Sequence, residues 1–160
     1  MSKKRIIVIS FIVLVLYIFS KVVVSHLMSV KESIKIIDHF LYLTYVRNEG
    51  VAFSFLDGSR LFIIVMSFIV FILIIYYLKC NEVNLLDSIG FGLVIGGALG
   101  NFIDRVIYGY VIDFIDVYIF GYDYPIFNIA DIGVVIGVMI IFISSFMKDR
   151  ESDKNGNNSR

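Results

Sequence analysis

Leu61-Phe62-Ile63-Ile64-Val65-Met66-Ser67-Phe68-Ile69-Val70-Phe71-Ile72-Leu73-Ile74-Ile75-Tyr76-Tyr77-Leu78 is a continuous apolar run without one charged side chain. A helix needs about 20 such residues to cross the hydrocarbon core of a bilayer. Three further stretches come close to that length: residues 6–27, 86–107 and 126–147. In lipid every backbone polar group needs an internal partner, so only helices and closed barrels span it. These runs do not alternate as barrel strands do, which leaves helices. Composition agrees. The 160 residues are 59% hydrophobic and 18% charged, against about 45–50% and 25% in soluble domains. A chain this short could not hide that much apolar surface in a water-soluble core. The expected fold is an all-α membrane protein of four transmembrane helices. A small extracytoplasmic loop region between the first two spans has room for short β-strands. Residues 1–147 form the membrane domain and 148–160 a polar, mobile cytoplasmic tail.

Lys3, Lys4 and Arg5 ahead of the first apolar run resemble the start of a cleaved signal peptide. The run is long, and Ser25-His26-Leu27 is a poor small-x-small cleavage site, so it reads as an uncleaved first helix. With four spans, the termini and the 79–85 loop share one side, which carries Lys3, Lys4, Arg5, Lys79, Lys148, Arg150, Lys154 and Arg160. The other side has Lys31, Lys35, Arg47 and Arg60, so the basic-residue bias puts both termini in the cytoplasm. A formal net charge of zero gives no footprint for nucleic acid. Cys80 is the only cysteine and the two histidines have no ligand spacing, so neither a disulfide framework nor a metal or other cofactor is expected.

Ionisable and amide groups at membrane depth are expensive and point to function. The third span ends Asn101-Phe102-Ile103-Asp104-Arg105, which places Asn101, Asp104 and Arg105 on one helix face. The fourth opens Pro125-Ile126-Phe127-Asn128-Ile129-Ala130-Asp131, where Asn128 and Asp131 share a face and Pro125 suits a helix entry. From Val106 to Met147 there is no Lys or Arg, so Asp113, Asp116, Asp123 and Asp131 lack a sequence-local cation. Two carboxylates brought together at low dielectric resist double ionisation and settle on one shared proton. Aspartic proteases use that arrangement, with one acid taking a proton from water and the other polarising the scissile carbonyl. Blander readings compete. A single aspartate near a helix end is more often a cap, Asp123 reads as a turn residue, and Arg105 could simply snorkel. Physics alone does not separate a protease from a proton-coupled transporter. Gly92, Gly96 and Gly100, with Gly133 and Gly137, read as small-residue packing stripes that let helices approach and so bring Asn101 towards Asp131.

Taken together, Asn101-Phe102-Ile103-Asp104-Arg105, Val111-Ile112-Asp113-Phe114 and Phe127-Asn128-Ile129-Ala130-Asp131, with the earlier Arg47-Asn48-Glu49-Gly50-Val51-Ala52-Phe53-Ser54, resemble the lipoprotein signal peptidases (signal peptidase II, aspartyl protease family A8). The resemblance covers residues 47–131 and extends to the length and the four-span layout. It implies an enzyme of the bacterial cytoplasmic (inner) membrane, with its active site near the outer leaflet. Such an enzyme removes signal peptides from diacylglyceryl-modified prolipoproteins, cutting before the lipidated cysteine. By motif position the catalytic pair falls on Asp113 and Asp131. Asn48, Asn101, Asp104, Arg105, Asn128 and Ala130 fall on positions that shape the site and hold substrate, with Arg105 able to brace loop carbonyls and the Asn48 loop able to close over the site. Asp116 matches a common family residue for which no catalytic role is expected. Partners are the diacylated substrate and membrane lipid, with no nucleic acid, and a monomer is expected.

One position departs from the family pattern. The first helix usually carries Asp-x-x-Thr-Lys near its outer end, and here the stretch is Tyr17-Ile18-Phe19-Ser20-Lys21. The change leaves Lys21 without its expected neighbour and free to snorkel. The competing reading it raises is a divergent, non-catalytic paralogue that binds lipoproteins. A small transporter is less well served, because no internal repeat with broken spans is visible.

Overall fold

The computed structural model describes residues 2–50 and 60–157. Four helices are long and apolar enough to cross a membrane: α1 (Ser2–Leu27), α2 (Arg60–Cys80), α3 (Leu85–Ile107) and α4 (Ile129–Asn157). The chain is a multi-pass membrane protein. The Val51–Ser54 part of the first motif lies outside the described residues. Helix α4 begins at Ile129 and not at 126, because Asn128 serves as its cap and Phe127 is held by β-type bonds to Ile115. Its backbone stays helical through Asn157, past the apolar span that ends at Lys148.

The all-α expectation is corrected by a four-stranded antiparallel sheet in the order β1-β2-β3-β4. Strands β1 (Ser33–Ile37) and β2 (Leu41–Asn48) come from the first loop, where short strands had room. Strands β3 (Val111–Ile119) and β4 (Tyr122–Asp123) come from the loop between α3 and α4. The segment 111–119 is rich in β-branched and aromatic residues, which favour a pleated, half-buried surface. Asp123 pairs with Tyr118 at the end of this hairpin, and the turn itself is Phe120-Gly121, both with positive φ (51° and 80°), as a two-residue I′ hairpin requires.

The bundle is organised around α3. More than half of its span is buried, whereas α2 buries no residue and presents its apolar surface outwards. Glycines make this position possible. The stripe Gly92, Gly96 and Gly100 lies against α1: a Cβ at Gly96 would stand 2.6 Å from the Ser10 carbonyl oxygen, and one at Gly100 would stand 2.7 Å from the Tyr17 ring. Contact with α4 falls instead to Gly97, where a Cβ would overlap the Ala130 carbonyl, and to Gly90 opposite Gly137. At the end of the bundle near the termini, Asn84 and Asp87 cap α3 reciprocally. Asp87 also accepts from Ser144 Oγ (2.6 Å) and Lys148 Nζ (2.5 Å), which clamps α3 to α4.

Substituting Gly97 should therefore be far more damaging than substituting Gly133, whose added Cβ meets only ordinary contacts at 3.4 Å. Gly97→Ala should lower stability by about 1–3 kcal/mol, the usual effect of overpacking, and Gly133→Ala should be nearly neutral. Thermal unfolding of both variants in detergent reads the difference.

Candidate active site

The end of α3, the start of α4 and strands β2 and β3 meet at the end of the bundle away from the termini. At their centre is Asn128, with no exposed surface. Its Nδ2 donates to Asp113 Oδ1 (2.7 Å) and to Asn101 Oδ1 (3.1 Å). Its Oδ1 accepts the backbone N–H groups of Ala130 (2.7 Å) and Asp131 (3.2 Å). Asp131 returns the bond, its Oδ2 accepting the Asn128 N–H at 3.1 Å. This reciprocal pair is a capping box, so the residues that start α4 are also site residues. Asn101 Nδ2 then donates to Asp131 Oδ1 at 2.8 Å. One chain of amides thus ties Asp113 to Asp131, and no cation lies within it.

Strand β2 adds the last member. Asn48 Nδ2 donates to Asp113 Oδ2 (2.7 Å), while its Oδ1 accepts the Gly50 N–H (2.8 Å). Gly50 has φ +88°, a conformation that glycine adopts without strain. Asp113 is 2% exposed. Burial pushes its carboxyl up to about 6, the bonds from Asn48 and Asn128 pull it back down, and the neighbouring Asp131 charge adds to the rise.

The remaining expected residues take other places. Ala130 is fully enclosed and lies where α4 crosses Gly97, so its side chain makes a packing contact. Asp104, 1% exposed, accepts from the Tyr17 hydroxyl (2.5 Å) and pairs with Lys21. Lys21 therefore has a partner, contrary to the expectation raised by the Tyr17 departure, and its Nζ also sits 5.1 Å from the Tyr108 ring centre. Tyr17, itself 1% exposed, reaches this carboxylate across the notch left by Gly100. Arg105 reaches back to the Asn101 carbonyl of its own helix at 3.4 Å. The bracing of carbonyls expected of it is done by Arg60, which donates to the carbonyls of Arg105 (2.7 Å) and Val106 (2.8 Å) and so ties the start of α2 to the end of α3. Asp116 is buried and accepts from Thr44 at 2.5 Å. The sequence reading passed over Arg60, Thr44 and the Asn84–Asp87 clamp. Only the clamp had a local signal, in Asn84-x-x-Asp87 ahead of an apolar run.

Among the described residues no group of His, Cys, Asp and Glu could hold a metal ion. The arrangement offers two carboxylates in neutral surroundings, one of them biased towards its protonated form. That is the equipment of an acid–base pair acting on water.

Stability should register this bias. The Asp113 carboxyl sits near 6 in the fold against an ordinary 3.8, so folding takes up a proton between those values. The advantage of the neutral acid is complete below about pH 4 and is lost as pH rises through 6. Relative to Asp113→Asn, the protein should lose up to roughly 3 kcal/mol between pH 4 and pH 7. Paired thermal melts across that range measure it, and a difference that does not change with pH would contradict the burial argument.

Residues 9–147 match the family described as Signal peptidase (SPase) II. The chain is similar to the lipoprotein signal peptidases of Staphylococcus aureus strains MRSA252 and JH9, with 40% identity over 136 residues, covering 84% of this chain and 83% of each relative. Two solved structures described as a bacterial membrane enzyme, at 1.9 and 2.3 Å resolution, superpose with TM-scores of 0.80 and identities of 41% and 40%. They cover 87% and 92% of this chain, and 90% of each neighbour.

Proposed function

The chain belongs to the signal peptidase (SPase) II family, and on that footing we propose that Asp113 and Asp131 are the catalytic pair with which it cleaves signal peptides from prolipoproteins. The observation that carries this reading is the amide chain Asp113–Asn128–Asn101–Asp131, which holds two carboxylates in one site without a neutralising cation.

Asp113 enters the cycle protonated, in keeping with its burial. Asp131 is the ionised member, because a carboxylate in the first turn of α4 faces the positive end of the helix dipole. Water between them gives a proton to Asp131 as its oxygen adds to the scissile carbonyl carbon, and Asp113 hydrogen-bonds the carbonyl oxygen as charge develops there. The C–N bond then breaks. The proton on Asp131 passes to the leaving nitrogen, and the carbonyl re-forms as the carboxyl end of the signal peptide. The cut falls before the lipidated cysteine, whose acyl chains remain in the bilayer. Asn48 and Asn128 act by fixing Asp113, and Asn101 by fixing Asp131. Asp104, Arg105 and Ala130 act through the packing of α3 rather than by touching substrate.

The site lies at the end of the bundle opposite the termini. With the termini cytoplasmic, as the basic residues favour, it opens at the outer leaflet of the bacterial cytoplasmic membrane. The chain acts as a monomer in this reading, since both acids and all their partners come from one polypeptide. A binding-only paralogue is disfavoured by the named relatives and by Tyr17, which provides a polar contact at the departed position instead of leaving a gap.

Asp113→Asn and Asp131→Asn should each cut the rate on a diacylated prolipoprotein by at least about 10²–10⁴-fold while the proteins still purify folded. Appearance of the shortened product from either variant at the wild-type rate would remove that residue from the pair. EDTA should leave the wild-type rate unchanged.

A further inference from the structure

An apolar trough of about 320 Å³ runs from the Asp131 carboxylate along the outer face of α4. Ile132, Val135 and Ile136 form its floor, Val117 and Ile119 of β3 one wall, and Phe127 with Tyr124 the other. The two aromatic rings meet edge to face at 5.8 Å, which makes that wall stiff. Asp131 is the only ionisable carboxylate on the lining, and it stands at the catalytic end. Val135 and Ile136 are 53% and 45% exposed on a helix that spans the membrane, so the far end opens towards hydrocarbon.

The geometry points to this trough as the seat of one acyl chain of the substrate's diacylglyceryl cysteine, an assignment that rests on the peptidase reading above. Three observations favour an alkyl chain over peptide. A peptide strand would need backbone partners, and β3 has none left here. On one side β2 pairs with Leu41↔Val117 and Leu43↔Ile115; on the other, Ile115 exchanges bonds with Phe127, Val117 accepts the Tyr124 N–H, and Tyr118 and Ile119 pair with β4. An unpartnered peptide group in an apolar slot would be strongly disfavoured, whereas an alkyl chain has no hydrogen bonds to lose. A helical signal peptide is about 10–12 Å across with its side chains, too wide for a cavity of this volume. Finally, the trough starts at the carboxylate that acts on the bond beside the lipidated cysteine, so the glyceryl thioether begins at its mouth.

Ile136 is then a specificity residue for acyl length. The test compares wild type, Ile136→Phe and Ile143→Phe on two synthetic prolipoprotein peptides, one dipalmitoylglyceryl and one diacetylglyceryl. Ile143 is on the same lipid-facing surface two turns further along α4 and outside the trough, so it controls for insertion and bulk. The wild type should prefer the long-chain peptide, and Ile136→Phe should reduce that preference by about tenfold, the worth of roughly two buried methylenes. Ile143→Phe should keep it. An unchanged preference in Ile136→Phe, or an equal loss on both peptides, overturns the assignment, the latter placing peptide in the trough. A dipalmitoyl peptide with a photoreactive group in the acyl chain gives a second reading on the unaltered protein, because labelling needs no turnover. Labels should fall on residues 132–136 and 117–119; labels confined to α1 or α2 would reject the trough. Failure of the wild type to cleave either peptide would count against the peptidase reading, and the labelling would still decide where the acyl chain lies.

Discussion

A carboxamide with no access to water has to find all of its partners inside the protein, and Asn128 finds four. Each unsatisfied buried polar group is worth about 1–3 kcal/mol of lost stability, so the Asn128 bonds fix the surrounding backbone as firmly as they fix the acids. Two of them start α4, one holds Asp113 on β3, and one holds Asn101 on α3. Three elements far apart in sequence are thereby set to a common origin. Capping and chemistry draw on the same atoms, so the geometry of the pair follows from where α4 begins.

Helix α3 transmits that geometry to the rest of the bundle. It has two glycine-lined faces, one against α1 and one against α4, and each is locked by a buried aspartate near one end. Asp104 is held from α1 by Tyr17 and Lys21, and Asp87 is held from α4 by Ser144 and Lys148. The two locks resist sliding of α3 in opposite corners of the bundle. In a bilayer the usual hydrophobic drive between helices is absent, so close packing and such polar ties carry the association. By contrast α2 is tied to the site end through Arg60 and otherwise presents an apolar face.

The four spans were legible because length and apolar continuity are local properties of the chain. The site residues were legible as motifs, and the carboxylates stood out because residues 106–147 contain no lysine or arginine. What could not be read was who meets whom. Tyr17 and Asp104 are 87 positions apart, and nothing in Tyr17-Ile18-Phe19-Ser20-Lys21 announces that a phenol will do the work of a polar anchor. Strand β3 escaped notice because Val111, Asp113, Phe114 and Asp116 are all buried, so both faces are covered and the usual apolar–polar alternation is missing. The roles of Gly92 and Gly97 differ for a similarly nonlocal reason: neighbouring positions on one helix face different partners.

The hydrogen bonds around the two acids also limit what can approach them. An ionised carboxylate has about four acceptor positions. Asp113 gives two to Asn48 and Asn128, and Asp131 gives two to Asn101 and the Asn128 backbone. Every one of those contacts is a donor pointing at the acids, and the amides that supply them have their own oxygens engaged by Gly50, Ala130, Asp131 and Asn128. The centre is consequently rich in unused lone pairs and poor in hydrogens. Molecules that bring hydroxyl or amine hydrogens find a ready place there, whereas a carbonyl is welcome only while Asp113 holds its proton. For anyone designing a blocker, that asymmetry calls for a donor at the middle of the scaffold.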